Sequence, residues 1–314
     1  MTGSRPTILF HDIFLKHDTG SSHPESAERL IAIRNHLVQA GLWRDEEIVA
    51  PRAASQEELS SVHHEEYVQW VKSVSESETG TGDPDTPVSK YSYEAACHAA
   101  GAGIVAADLM MDGTTKTAFC CVRPPGHHAD EASASGFCLF NNVAVAVRHL
   151  QHKYGLNRIA VIDWDVHHGN GTQNIFFDDP GVFYFSMHRY PFFPGTGRTS
   201  ETGTGKAAGT TLNIPLPHDT SSGEYLLRYE RAIRRIADEF APEVVVVSAG
   251  FDGYHADSLA GLCLRPEDYG NMTKHLVEQT SKSANGRVLS MLEGGYQPTA
   301  LAICVEQHLL HLGA

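Results

Sequence analysis

Short apolar runs recur along the chain, each bounded by polar residues or by glycine and proline. They are rich in valine, isoleucine and phenylalanine and show little polar alternation, which is typical of strands buried on both faces of a parallel sheet. The pattern therefore predicts six strands, at Thr7–His11, Thr117–Val122, Arg158–Asp163, Val182–Ser186, Val244–Ser248 and Val288–Leu292.

Longer segments with helical character lie between these runs. One begins after His23-Pro24 and stops at Gly41, as helices commonly do, and another is rich in alanine with apolar residues all round, which predicts a buried helix. The predicted helices are Glu25–Ala40, Tyr93–Met111, Asn141–Tyr154 and Gly223–Phe240. Because strands and helices alternate, we expect an α/β fold with a parallel sheet between helices, as one domain over residues 1–314.

Composition narrows the class of protein. The 314 residues are 41% hydrophobic and 20% charged, as in globular proteins, and the net charge of −14 argues against general nucleic-acid binding. No apolar run approaches the roughly 18 residues of a membrane span. The six cysteines form no C-x-x-C pair, and the segment MTGSRPTILFHD lacks an apolar stretch long enough for a secretion signal. We therefore expect a cytoplasmic protein with free thiols.

Two polar or glycine-rich segments predict loops. Ser73–Lys90 is rich in glycine, proline, serine and aspartate, and we interpret it as a long surface loop near a site rather than a linker. His188–Gly209 carries five glycines. Within it, Gly203–Ala208 formally fits a dinucleotide fingerprint, but the match is short and follows no strand, so the sequence does not favour nucleotide binding.

Polar side chains gather after four of the predicted strands. In open parallel sheets ligands bind at the carboxyl ends of the strands, so these clusters are expected to meet at one edge. Each cluster alone is common as a turn, a cap or a packed pair, and their convergence is the stronger indication of a site. They are Arg123-Pro-Pro-Gly-His127-His128, Asp163-Trp-Asp165-Val-His167-His168-Gly169, Ala249-Gly250-Phe251-Asp252 and Glu293-Gly294-Gly295-Tyr296.

Three of these side chains suit a metal ion. Asp165 and His167 are two residues apart, so they point the same way on an extended segment, and Asp252 follows another strand. Three protein ligands leave a position open for water, as catalytic zinc requires. Manganese and iron(II) also accept nitrogen and oxygen ligands. These three residues alone therefore do not identify the metal as zinc.

The histidine pair and the tyrosine suit hydrolysis. If His127 and His128 face the metal, one can take a proton from water while another serves a leaving amine. Tyr296 follows two glycines that allow close backbone approach, and its phenol would donate a hydrogen bond to a developing oxyanion. Together with a metal ion, these groups predict an amide hydrolase.

Taken together, the motifs resemble the zinc-dependent histone deacetylase family, including its bacterial amidohydrolase members and acetylpolyamine amidohydrolases. The resemblance spans most of the chain and implies the arginase/deacetylase fold, a three-layer α/β architecture with an eight-stranded parallel sheet between helices. The motifs that carry it are RPPGHHA, GFCLFNN, VIDWDVHHGNGTQ, FSMHRYPFFPGTG, SAGFDGYHADSLAG and LEGGY.

The resemblance implies which residues hold metal ions. Its zinc ligands would be Asp165, His167 and Asp252. A structural potassium ion would be bound by a second group, namely Asp163, Ser186 and Met187. Asp163 would also support His127.

It also implies the catalytic and substrate-binding residues. The base and acid pair would be His127 and His128, and Tyr296 would polarise the acyl carbonyl. A narrow channel for an acylated lysine side chain would be lined by Gly136, Phe137, Phe193 and Leu259. At its rim, Asp83 or Asp85 would hold a substrate backbone amide, and the sequence does not choose between them.

Three positions distinguish members of the family. Asn170, the partner of the second histidine, resembles class II enzymes, and an amide there raises the imidazole pKa less than an aspartate would. Tyr296 stands where weakly active class II members carry histidine, so we expect catalysis. Leu259 stands where polyamine-specific relatives can carry glutamate, so it favours acyl-lysine over acetylpolyamine.

The expected reaction is hydrolysis of an acylated, most simply acetylated, lysine in a protein or peptide. Three alternatives stay open: the same chemistry on an acetylpolyamine or another small amide, a two-metal arginase-like hydrolase, and a catalytically idle binder of acyl-lysine. The sequence favours neither a nucleic-acid nor a membrane partner, and it leaves homo-oligomerisation open.

Overall fold

Seven parallel strands form one sheet in the computed structural model, which describes residues 5–77, 80 and 83–313. In chain order the strands are β1 (Thr7–Leu9), β2 (Thr117–Cys120), β3 (Ile159–Asp163), β4 (Val182–Arg189), β5 (Thr211–Leu216), β6 (Val244–Ala249) and β7 (Val288–Leu292). Their order across the sheet is β1-β2-β7-β6-β3-β4-β5, so β7, β6 and β3 lie at its centre.

The predicted parallel sheet is confirmed, but the expected count of eight strands is wrong for the described residues, where the sheet has seven. The count came from the family resemblance, whereas the apolar runs themselves predicted six strands, and all six are present. The seventh, β5, was not predicted because its sequence TLNIPL mixes polar and apolar residues and contains Pro215. An edge position tolerates a residue without an N–H group.

Nine helices of the described residues flank the sheet in two packed groups. One group contains α1, α7, α8 and α9, and the other contains α2 to α6. The sheet thus lies between helices, as expected. The helices are α1 (Ala27–Gln39), α2 (Gln56–Ser60), α3 (Glu65–Ser77), α4 (Ser92–Met111), α5 (Asn142–Tyr154), α6 (Asn170–Phe176), α7 (Ser222–Arg235), α8 (Pro266–Thr280) and α9 (Pro298–Leu312).

The four predicted helices are present with small shifts at their ends. Beyond α7, the predicted helix Gly223–Phe240 continues as a π-helical turn over Ile236–Phe240. The predicted loop Ser73–Lys90 starts too early, because the buried face of α3, which includes Val71 and Val74, keeps the chain helical to Ser77. Residues 78, 79, 81 and 82 of that loop, and residues 1–4 and 314 of the predicted domain, lie outside the described residues.

The central strands β3, β6 and β7 are buried along their whole length. The segments that follow them therefore start from the core of the protein. All six cysteines are free thiols, and five are buried. Among the described residues, no helix combines the length and the apolar character that crossing a bilayer requires.

Candidate active site

The four polar clusters meet because the strands that precede them are neighbours. β2, β7, β6 and β3 occupy consecutive places in the sheet. Asp163 of β3 pairs in register with Ser248 of β6, which pairs in turn with Met291 of β7, so these strands end level with one another. The segments that leave them therefore converge at one edge, as the sequence predicted.

Asp165, His167 and Asp252 form a compact buried cluster at this edge. One donor atom from each lies within 4.8 Å of the others. Nδ1 of His167 is 3.0 Å from Oδ1 of Asp165 and 3.0 Å from Oδ2 of Asp252. A tetrahedral zinc ion with ligands about 2.0–2.1 Å away would hold its ligand atoms roughly 3.3 Å apart. The spacing therefore suits a small divalent cation.

Backbone N–H groups fix the two carboxylates. Asp165 accepts hydrogen bonds from His167 N–H and Gly294 N–H, both at 2.9 Å, and Oδ1 of Asp252 accepts from Val166 N–H at 2.9 Å. Oδ2 of Asp252 is buried and has Nδ1 of His167, at 3.0 Å, as its near partner. A buried carboxylate is costly unless a cation neutralises it, and the ion pairs of Asp165 and Asp252 among the described residues are with His127 and His167 rather than with a lysine or arginine. The donor set fits a divalent metal ion.

Two glycines let the backbone approach these carboxylates. A Cβ atom on Gly250 would lie 2.1 Å from Oδ2 of Asp165, and one on Gly294 would lie 2.3 Å from Oδ2 of Asp252. Both separations are far below van der Waals contact. Any other residue at these positions would displace a carboxylate. The cluster therefore requires glycine at both positions.

Burial and mutual repulsion set the protonation of the cluster. Burial, together with the charge of Asp165, raises the pKa of Asp252 to about 7. Burial also acts to raise the pKa of Asp165, but the charge of His127 and hydrogen bonds from His167 hold that pKa well below its usual range. Burial acts to lower the pKa of His167, yet its two carboxylate partners raise it to about 9. The cluster thus concentrates negative charge that a cation would neutralise.

His127 and His128 lie side by side next to this cluster. Their ring centroids are 4.0 Å apart. Nδ1 of His127 is 3.1 Å from Oδ2 of Asp163, and Nδ1 of His128 is 2.8 Å from Oδ1 of Asn170. Because each Nδ1 faces an oxygen acceptor, each Nδ1 carries a proton and leaves Nε2 for chemistry.

The two imidazoles differ in charge. Burial acts to lower the pKa of His127, but Asp165 and Asp163 outweigh it and raise the pKa to about 10. Burial lowers the pKa of His128 well below its usual value, and the neighbouring charges of His127 and His167 lower it further. One member of the pair is therefore held as a cation and the other as a neutral base.

Tyr296 faces the same space, and its backbone is held on both sides. Its N–H donates to Oδ2 of Asp257 at 2.7 Å, and the hydroxyl of Ser258 donates to its carbonyl at 3.0 Å. The guanidinium carbon of Arg29 lies 5.2 Å from the ring centroid. Burial raises the pKa of Tyr296 well above its usual value, so the phenol keeps its proton and can donate it in a hydrogen bond.

A pocket of about 220 Å³ opens above these groups. Its walls are largely aromatic and apolar, and acidic side chains stand at the outside. The lining residues are Asp83, Asp85, His128, Gly136, Phe137, His167, Phe192, Phe193, Leu259 and Tyr296. The four residues predicted for the channel are among them, and so are both candidate rim aspartates.

The pocket wall packs directly on the cluster of Asp165, His167 and Asp252. The ring of Phe192 stacks on that of His167, with centroids 5.3 Å apart and an angle of 19°. The guanidinium carbon of Arg189 lies 4.1 Å from the centroid of Phe192, and Nη1 donates to the carbonyl of Ala260 at 2.8 Å. Arg189 therefore connects the Phe192 wall with the segment that carries Leu259.

Comparison with known proteins identifies the family. A family model described as the histone deacetylase domain matches residues 23–312. This chain belongs to the histone deacetylase family. The crystal structure of the HDA15 HD domain superposes with a TM-score of 0.93 at 35% identity, over 99% of this chain and 88% of that one. The predicted deacetylase fold is confirmed.

Curated members of the histone deacetylase family match most of this chain. A probable deacetylase of Archaeoglobus fulgidus is 40% identical over 291 residues, which cover 92% of this chain and 80% of that protein. Histone deacetylase 4 of Caenorhabditis elegans is 39% identical over 316 residues. That match covers 91% of this chain but only 36% of the longer protein.

The residues that the sequence linked to a structural potassium ion lie behind the histidine pair. Asp163 pairs in register with Ser186, and Met187 is the next residue of β4. The hydroxyl of Ser186 is 2.9 Å from Nδ1 of His188. The three residues are thus neighbours, and their role in binding potassium stays a prediction.

Three contributors to the site were given no role by the sequence. Phe192 was passed over in favour of Phe193, although both follow Pro191. The hydroxyl oxygen of Tyr184 lies 3.2 Å from Oδ2 of Asp163 and 3.0 Å from the carbonyl oxygen of Gly169, so its proton can be donated to either. Glu293 accepts from the N–H groups of Gly126 and His127, at 2.7 and 3.2 Å, and so holds the histidine segment. Only Glu293 had a sequence signal, its place after a strand.

Proposed function

We propose that the protein is a zinc-dependent amidohydrolase that removes an acyl group, most simply acetyl, from the side-chain amine of lysine in a protein or peptide. The observation that carries the proposal is a pocket lined by Tyr296, by His128 of the histidine pair and by His167 of the three-ligand cluster. Membership of the histone deacetylase family supports deacetylation.

Asp165, His167 and Asp252 would hold the zinc ion, and Asp163, Ser186 and Met187 would hold potassium. A zinc ion bound there would lower the pKa of a water molecule and polarise the substrate carbonyl. The family as a whole supports zinc, and the buried set of two carboxylates and one imidazole supports it from within this chain.

The two histidines would have different roles. His128 is neutral and lines the pocket, so it would accept the proton of the attacking water and then return it to the departing amine. His127 is held as a cation by Asp163 and Asp165, so its charge would stabilise the negative charge that develops on the substrate. Asn170 would keep His128 oriented without adding a charge that would raise its pKa.

Tyr296 would complete the stabilisation of the oxyanion. Its phenol keeps its proton because burial raises its pKa, and it lines the pocket beside His128. Gly136, Phe137, Phe193 and Leu259 would enclose the aliphatic stem of the substrate lysine. Asp83 or Asp85 would accept a hydrogen bond from the substrate backbone at the rim.

An activity panel tests the function. The substrates are acetyl-lysine peptides, peptides with longer acyl chains, and acetylated diamines, each assayed with a chelator and after zinc is restored. We expect hydrolysis of acetyl-lysine peptides that the chelator abolishes and zinc restores. Activity that survives metal removal would contradict the metal-dependent mechanism, and peptide binding without product would indicate an idle binder.

Acetylpolyamines are the second candidate substrate. Asp83 and Asp85 at the rim would attract a second amine of such a substrate. Leu259 argues in the other direction, because its exposed apolar side chain offers no partner for an ammonium group. Turnover of acetylated diamines well above that of peptides would favour this alternative.

We further propose that residues 1–314 form one catalytic domain that acts in the cytoplasm. The single sheet that contains every described strand supports one domain, and the free buried thiols support a reducing compartment. Limited proteolysis and cell fractionation test these two proposals.

A further inference from the structure

A second groove lies beside the mouth of the active-site pocket. It encloses about 420 Å³. Its lining residues are His64, Glu66, Tyr67, Trp70, Asp83, Ala132, Ser133 and Ala134. Of these only Asp83 also lines the active-site pocket, and the function proposed above gives the groove no role.

The groove adjoins the pocket. Asp83 borders both, and the chain segment 130–138 separates them, with Ala134 on the groove side and Gly136 on the pocket side. Two residues of extended chain span roughly 7 Å. A peptide whose acylated lysine filled the pocket would therefore carry a side chain two or three positions away over the groove.

Trp70 gives the groove a flat apolar surface. It lies on α3 and is 39% exposed. Its ring stacks on Tyr67, with centroids 5.7 Å apart and an angle of 24°. Tyr67 is itself anchored, because its hydroxyl donates to the carbonyl of Leu139 at 2.6 Å. The indole therefore presents a fixed face to solvent, which suits the stem of a long side chain or a cation.

The charge of the groove complements a cation. Its described lining residues include the carboxylates of Glu66 and Asp83 and no lysine or arginine. Glu131, next to the lining residue Ala132, is exposed, and its carboxylate lies 4.0 Å from Nε2 of His64. An apolar plate with acidic groups beside it matches the two parts of a lysine or arginine side chain, an aliphatic stem and a charged head.

We propose that this groove is a substrate subsite for a lysine or arginine side chain that lies two or three residues from the acylated lysine of a polypeptide. The proposal rests on the acyl-lysine hydrolysis proposed above and narrows its substrate to basic polypeptides. A single acylated lysine or a short acetylated diamine would fill the pocket without reaching Trp70.

Kinetics with matched peptides test the subsite. Peptides with one acetyl-lysine carry arginine, alanine or glutamate at each of the three positions on either side, and a single-residue acetyl-lysine amide serves as the short substrate. We expect arginine to raise kcat/KM over alanine by about 3- to 30-fold at the best position, mainly through KM. The Trp70→Ala and Glu66→Gln variants should each lose most of this preference and keep the activity on the short substrate.

Two exposed positions elsewhere provide matched controls. Leu310→Ala on α9 removes an apolar side chain that is 48% exposed, and Glu278→Gln on α8 removes an exposed carboxylate. Both should keep the wild-type preference. An equal preference in wild type and in the Trp70 and Glu66 variants would overturn the subsite, and so would a loss of activity on the short substrate in those variants.

Direct binding separates this proposal from the function on which it rests. The same peptides, labelled with a fluorophore, are titrated with the Tyr296→Phe variant, and Kd is read from anisotropy. Tighter binding of the arginine peptides without hydrolysis by wild type would support the groove while contradicting the hydrolase. Equal Kd values for the arginine and alanine peptides would overturn the groove whatever the activity.

Discussion

Burial gives the side chains around the proposed metal site protonation states that they would not have in water. His127 is held charged by two carboxylates, while His128, which contacts an amide instead, is held neutral. Tyr296 keeps its proton for the same reason of burial. The three neighbouring groups therefore differ in protonation: His127 is a cation, His128 is a neutral imidazole and Tyr296 is a protonated phenol.

Replacing Tyr296 with phenylalanine removes the proposed oxyanion donor and leaves the ring. We expect kcat on an acetyl-lysine peptide to fall about 10²- to 10³-fold, which is the usual effect of losing one such donor. KM and the melting temperature should change little, because the ring still packs against Phe137. The exposed Tyr91 provides the control Tyr91→Phe, and wild-type turnover in Tyr296→Phe would remove the tyrosine from the mechanism.

Replacing Asp252 with asparagine tests the metal cluster without an activity assay. The variant should bind less than about one tenth of the zinc found in wild type at equal free zinc, because one anionic ligand is lost. In the metal-free state it should unfold at higher denaturant concentration than wild type, since the repulsion between Asp165 and Asp252 is gone.

Atomic absorption and chemical denaturation measure these two effects. Asp238→Asn, at an exposed position, is the control for the loss of a carboxylate. Full zinc content in the Asp252→Asn variant would contradict the ligand assignment.

Single residues of the site differ in how far the sequence could reveal them. Asp165, His167 and Asp252 follow strand ends, and the parallel topology brings all strand ends to one edge, so local sequence was sufficient to propose the cluster. Phe192 acts through stacking on His167, a contact between distant parts of the chain that no local pattern encodes.

At the level of elements, burial decided which segments could be predicted. Strands β3, β6 and β7 are buried throughout and therefore appear as continuous apolar runs. β5 lies at an edge with three partly exposed residues, and its mixed sequence resembles a loop. The end of α3 has only one apolar face, so its polar residues were taken for the start of the neighbouring loop.

Helix α4 provides a stability test through its close contact with the chain at Arg52 and Ala54. A Cβ atom on Gly101 would lie 2.0 Å from the carbonyl oxygen of Arg52 and 2.8 Å from Ala54 N. Gly101→Ala should therefore lower the free energy of unfolding by about 1–3 kcal/mol, as overpacking does. Chemical denaturation measures the change.

Gly223 is the matched control, because a Cβ atom there meets nothing within 4 Å in helix α7. Gly223→Ala should raise the free energy of unfolding by about 0.4–1 kcal/mol through the lower entropy of the unfolded chain. Equal effects of the two substitutions would show that α4 is not packed as described.

For the molecule as a whole, buried neutral histidines make stability depend on pH. Burial lowers the pKa of His17 to about 4 and that of His308 to about 3. Both would titrate near 6.5 in the unfolded chain. Between these values the unfolded state binds more protons than the folded state, so the free energy of unfolding falls as the pH decreases below 6.5.

Each such histidine contributes up to about 1.4 kcal/mol per pH unit in that window. We expect His308→Gln to lower stability at pH 7, because the bonds to Thr273 and Ser290 are disturbed, and to flatten the decline between pH 6.5 and 5. Denaturation curves with a chelator in every sample measure both effects. His64→Gln, at an exposed position, should keep the wild-type slope, and an unchanged slope in His308→Gln would contradict the assignment.

The two margins of the sheet bear on how copies of the protein could assemble. β1 has only three residues, and its outer side is already bonded to Val49, while β5 contains Pro215, which has no N–H group to donate. Among the described residues, neither margin therefore offers the long row of free amides through which sheets merge between molecules. For the described strands, contacts through side chains on helices and loops are the alternative to merged sheets, and surface substitutions there would be the means of separating the subunits of a homo-oligomer.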